Sequence, residues 1–127
     1  MNDILPYQIE VEAQAFYVAE QSNIIEDRYV FNYRIRIANL GTVPAKLLSR
    51  HWIIRDSDND VQEVRGDGVV GEQPVIAPGE VFEYTSGVGL ETPLAIMQGS
   101  YRMRASDGTE FDAEIPEFVL SIPRTLH

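Results

Sequence analysis

A chain of 127 residues, 44% hydrophobic and 24% charged, has the make-up of one globular domain spanning residues 1–127, large enough to bury about 65 to 70% of its unfolded surface. Its net charge of −10, from twenty carboxylates against nine arginines and the single Lys46, repels phosphate backbones and anionic membranes, which argues against general nucleic-acid and membrane binding. Without cysteine there are no disulfides, thiolate metal sites or cysteine nucleophiles, and no basic segment followed by an apolar one opens the chain, so a cytoplasmic protein is expected.

From Tyr7 to Tyr17 apolar and polar residues alternate, which predicts a strand with one wet face. Glu20-Gln21-Ser22-Asn23 reads as a turn, and Arg28 to Ala38 is a second amphipathic strand carrying Tyr29, Phe31, Tyr33, Ile35 and Ile37 on one face. Ala45 to Arg55 is apolar on both faces. Leu48, Trp52 and Ile54 alternate with Leu47, His51 and Ile53, as expected of a central strand covered on both sides.

Asp56-Ser57-Asp58-Asn59-Asp60 follows as a turn with Asn59 suited to the left-handed region, and Val61 to Arg65 returns as a short strand. Ala77-Pro78-Gly79-Glu80 has the pattern of a type II turn and launches Val81 to Ser86. Gly87 to Pro93 reads as turn-rich, Ala95 to Ala105 as a strand, and Ser106-Asp107-Gly108-Thr109 as a hairpin into Phe111 to Ile115. Pro116 breaks or edges that strand before Phe118, Leu120 and Ile122 resume it. Seven or eight short strands without an amphipathic helix predict an all-β, antiparallel β-sandwich, and Trp52 with Tyr101 after Gly99 suggests the core tryptophan and tyrosine corner of immunoglobulin-like domains.

The site candidate is Val64 to Pro74. Gly66, Gly68 and Gly71 permit positive φ or close backbone approach at an entropic cost that an ordinary loop has no reason to carry. They fit G-x-G-x-x-G, but Pro74 and Pro78-Gly79 forbid the helix that a dinucleotide fingerprint needs, leaving a structural loop or a binding loop whose successive N–H groups cradle an anion. Asp56, Asp58, Asp60 and Asp67 match positions 1, 3, 5 and 12 of a calcium loop, yet Val61 takes the glycine place, so a solvated turn and no metal site is expected. If Trp52 faces the core, His51, Arg55, Arg102 and Arg104 face outward, either as a solvated charged face or as a patch for an acidic partner or phosphate. His51 and His127 are the only imidazoles, so no catalytic set is proposed.

Ser49-Arg50-His51-Trp52-Ile53-Ile54, Val64 to Pro74 (VRGDGVVGEQP), Pro78-Gly79, Phe82-Glu83-Tyr84-Thr85-Ser86, Thr92-Pro93, Met97 to Tyr101 and Ile115-Pro116-Glu117-Phe118 together resemble the ApaG family, in order and over nearly the whole chain. Asn59 and Ala95 depart from positions where that family often has glycine. The resemblance implies a fibronectin type III-like sandwich, no established enzymatic activity, a link to cobalt and magnesium tolerance, and use of the domain as a binding module in an F-box protein and a polymerase-interacting protein.

The function expected is a non-enzymatic adaptor without cofactor that binds a protein partner through Gly66, Asp67, Gly68, Val69, Val70, Gly71 and Gln73 and the adjoining face of His51, Arg55, Arg102 and Arg104. The alternative is a small-ligand protein taking a phosphate or nucleotide anion, with or without a divalent cation, at Gly66 to Gly71.

Overall fold

A computed structural model describes residues 5–123. They form β1 (Ile9–Tyr17), β2 (Tyr29–Asn39), β3 (Ala45–Asp56), β4 (Val61–Asp67), β5 (Val75–Ile76), β6 (Val81–Leu90), β7 (Leu94–Ala105) and β8 (Glu110–Ser121), with a short 3-10 turn at Ala19–Gln21. Two antiparallel sheets, β1-β2-β6 and β4-β3-β7-β8 with β5 added beside the start of β3, pack face to face as an immunoglobulin or fibronectin type III-like sandwich. No helix among the described residues is long and apolar enough to cross a membrane.

Alternation builds the core. Phe31, Tyr33, Ile35 and Ile37 of β2 point inward against Trp52 and Ile54 of β3 and Met97, Tyr101 and Met103 of β7. Trp52 is 2% exposed and meets Tyr33, Phe118 and Tyr101 at ring separations of 5.4, 5.9 and 6.5 Å, all edge-to-face. Tyr101 is no tyrosine corner: its hydroxyl bonds that of Tyr84 across the core instead of an upstream carbonyl, and burial holds both phenols well above their ordinary range. Asn39, 1% exposed, ties the crossing between sheets by donating to the carbonyls of Val43 and Ile76 at 2.9 and 2.8 Å.

The short turns fold as their residues dictate. Asn59 takes φ 66°, Gly79 φ 82° with the Glu80 amide on the Ala77 carbonyl at 2.9 Å, and Gly108 φ 89° between β7 and β8.

Three segments depart from the sequence pattern. Gly87 to Leu90 continue β6 as strand, because they pair with Asn32 to Tyr29 along β2 despite two glycines. In β8, Pro116 and Glu117 together face the single Gln98, so the strand runs through its proline by way of a bulge on an edge. A second bulge lies in β3, where Leu47 pairs with Met103 and Ser49 with Arg102. The extra residue is Leu48, which reverses the phase: Leu47 is fully buried before it, and Arg50, Trp52 and Ile54 face inward after it.

Candidate functional site

The stretch between β4 and β5 leaves and rejoins the same side of β3, since β4 pairs Ser49 to Arg55 and β5 pairs Ala45 and Lys46. The β3 bulge lies between those two pairings, and its residue, Leu48, anchors both feet of the loop. The Leu48 carbonyl accepts the Gly68 amide and the Gln73 side-chain amide, each at 2.9 Å. The Leu47 amide donates to the Pro74 carbonyl at 2.9 Å.

Arg50, turned inward by the same bulge, fastens the loop from beneath. Its Nη1 donates to the carbonyls of Asp67 and Gly68, both at 2.9 Å. Each nearby glycine has its own reason. A Cβ on Gly66 would stand 2.7 Å from the Arg50 guanidinium, and one on Gly68, which has φ 61°, would stand 2.2 Å from the Glu72 carbonyl oxygen.

The tip is a tight turn in which Val69 and Glu72 exchange amide-to-carbonyl bonds at 2.8 and 2.9 Å. Val70 and Gly71 occupy its centre at φ 43° and φ 80°. Two adjacent valines therefore part company: Val69 is 1% exposed and plugs the core, while Val70 is 54% exposed at the apex. A β-branched residue in the left-handed region is a true outlier, disfavoured by about 1 to 2 kcal/mol. The amides of Gly68, Val69 and Glu72 are all engaged within the protein, and β5, not a helix, follows the loop.

Beside the loop, the outer face of the large sheet carries two adjoining shallow depressions of about 470 and 490 Å³ that share His51, Ser100 and Asp112. The four outward residues expected there do face outward, yet they do not cluster: Arg55 pairs with Ile96 and Arg104 with Lys46, so roughly 25 Å of strand separates them. The arginine face is neutralised by β8. Arg102 meets Glu110 and Asp112 at 3.3 and 3.2 Å, with Asp112 the main influence raising its pKa, and Arg104 meets Glu110 at 3.5 Å.

His51 Nε2 lies 3.5 Å from Glu63 Oε1, close enough for an ion pair but without hydrogen-bond geometry, and that nitrogen is buried. Ser100 stands opposite His51 in the β3–β7 register, and no hydrogen bond joins them among the described residues. The aspartates do not form a four-membered set. Asp56, Asp58 and Asp60 bring oxygens within 4.8 Å of one another, whereas Asp67 pairs with Ser49 at the far end of β4. Asp56 Oδ1 accepts the amides of Asp58 and Asp60 at 2.9 and 3.1 Å, which makes it the organiser of the turn.

The sequence pattern alone assigns no site role to Leu48, Arg50, Ser100 or Asp112, whereas Arg65 lies within the expected stretch Val64 to Pro74. Only the glycine across from Arg50 in the β3–β4 register marks its role, and that pairing is invisible without the fold.

A family model for the ApaG domain matches residues 19–105. Protein ApaG of Thiobacillus denitrificans is 60% identical over 95% of both chains, and that of Dechloromonas aromatica is 58% identical over the full length of both. Among solved structures, the crystal structure of an ApaA protein from Bordetella pertussis superposes with a TM-score of 0.93 at 50% identity, covering 97% of this chain and all of that one. The chain belongs to the ApaG family.

Proposed function

We propose that the protein is a non-enzymatic binding module of the cytoplasm that seats a protein partner on the apex of the glycine loop and on the neighbouring outer face around His51. The observation that carries this reading is Val70, a β-branched residue held against its backbone preference and more than half exposed. Strain of this kind persists only where the surroundings impose it, and here Leu48, Arg50 and Gln73 do so through four hydrogen bonds. A loop so fixed loses little entropy on binding, and an exposed valine supplies an apolar anchor.

A phosphate or nucleotide anion at the same loop is the competing reading. It draws support from Arg65 and Arg102 beside Gly66 in the depression, but an anion nest needs outward amides, and three of the loop's amides are engaged internally. General nucleic-acid and membrane binding stay outside the proposal because of the net charge of −10.

Val70→Gly separates the readings, since it removes the side chain and relieves the strain while keeping every backbone bond. The protein reading expects stability unchanged or raised by up to about 1 kcal/mol, and loss of a partner that the intact chain captures from native lysate. The anion reading expects an intact loop and, with pyrophosphate at about 100 times its dissociation constant, stabilisation near 2.7 kcal/mol in both proteins. Capture of the same partner by Val70→Gly would remove the apex from the interface.

A further inference from the structure

The flank of the sandwich where β1 approaches β8 is closed by packing between those strands. On the other flank β6 pairs with β2 alone, and no strand lies beyond it among the described residues. Its hydrogen-bonding phase follows from the bond just ahead of the ladder, where the Asn39 amide donates to the Glu80 carbonyl at 3.0 Å. Alternation then directs the backbone groups of Phe82, Tyr84, Ser86, Val88 and Leu90 toward β2. Those of Val81, Glu83, Thr85, Gly87 and Gly89 point away from it, and all five of these residues are exposed.

Sheet edges are normally blunted with proline, lysine, a bulge or a cover. β8 has Pro116 and a bulge, β4 has Glu63 and Arg65, and β1 is packed by β8. β6 has none of these over its ten residues; its one charge, Glu83, is held by Arg36 at 3.4 Å.

The residues of β6 are complementary to themselves. Placing Thr85 opposite its own copy in an antiparallel ladder sets Glu83 against Gly87 and Val81 against Gly89 on the outer face, and Phe82 against Val88 and Tyr84 against Ser86 on the inner face. No like charges oppose, each large outer residue meets a glycine, and the half-buried Phe82 and Val88 cover one another. We infer that β6 is a homodimer edge: two copies pair β6 to β6 about a two-fold axis at Thr85, joining their three-stranded sheets into one of six. A second copy fits better than an unrelated strand because the complementarity is written in this strand's own sequence.

Sedimentation of the intact chain up to about 0.5 mM is expected to reveal a reversible monomer–dimer equilibrium, as suits a small interface. Both partners carry −10, so association should tighten as salt rises; a basic peptide on the same edge would weaken instead. Thr85→Glu sets two carboxylates against each other on the axis and should weaken the dimer at least about tenfold without altering the fold, since Thr85 is exposed and its amide is not used by β2.

The chain has no cysteine, so Thr85→Cys provides a single reporter whose backbone spacing across such a pair, about 5.5 Å, suits a disulfide. Oxidised Thr85→Cys should become a covalent dimer while Gln14→Cys on β1 does not. A chain that stays monomeric throughout, a dimer that survives Thr85→Glu, or equal crosslinking from both cysteines would overturn the inference.

Discussion

At one end of β4 lies the Asp56–Asp60 turn and at the other the glycine loop, and the two are held by opposite means. The turn closes mostly on itself: Asp56 accepts the Asp58 and Asp60 amides through its carboxylate and the Asn59 amide through its carbonyl, all within five residues, while the Ser57 amide reaches out to the Leu94 carbonyl at 3.1 Å. The glycine loop is held by residues 17 to 25 positions away, namely Leu48 and Arg50 of β3. A turn of the first kind is specified chiefly by its own sequence. One of the second kind exists because a bulge elsewhere turned an arginine inward, and it is as rigid as the strand that carries it.

The contrast can be broken from the loop side first. Gly68→Ala adds a Cβ at φ 61° and 2.2 Å from the Glu72 oxygen, and should lower stability in denaturant by about 3 kcal/mol. Next come Arg50→Met, which strands two carbonyls, and Gly66→Ala, which pushes the guanidinium off them; each should cost about 1 to 2 kcal/mol. Because both act through one contact, the double variant should cost little more than either alone, and full additivity would show that Arg50 does not fasten the loop.

On the turn side the effects are smaller. Asp56→Ala removes the one carboxylate oxygen that accepts two amides at an exposed turn and should cost about 1 kcal/mol in thermal or chemical unfolding. Asn59→Gly, at φ 66°, should move stability by less than about 0.5 kcal/mol. A larger loss there would mean that the Asn59 side chain does more than tolerate its backbone.

The same contrast explains what could be read in the sequence. Asn59, Pro78-Gly79 and Ser106 to Thr109 were legible because each is specified by side chains and φ preferences inside the turn. Period-two alternation located the core residues of β2 and Trp52 correctly, but it cannot register an inserted residue, so Leu47 and Leu48 exchanged faces and Arg50 escaped notice. The strand propensity of glycine hid the last four residues of β6. The outward arginines were placed on the right face, while the carboxylates that neutralise them come from β8, whose register no local pattern fixes.

Distant strand contacts preorganise the apex, and amide hydrogen exchange reads that order residue by residue. The amides of Gly68, Val69 and Glu72 should be protected to nearly the level of β3 and more strongly than those of Asp58 and Asn59, and Arg50→Met should erase most of that protection while leaving the Asp56–Asp60 turn unchanged. Exchange at Gly68, Val69 and Glu72 as fast as in the aspartate turn, or protection indifferent to Arg50→Met, would show that β3 does not preorganise the apex.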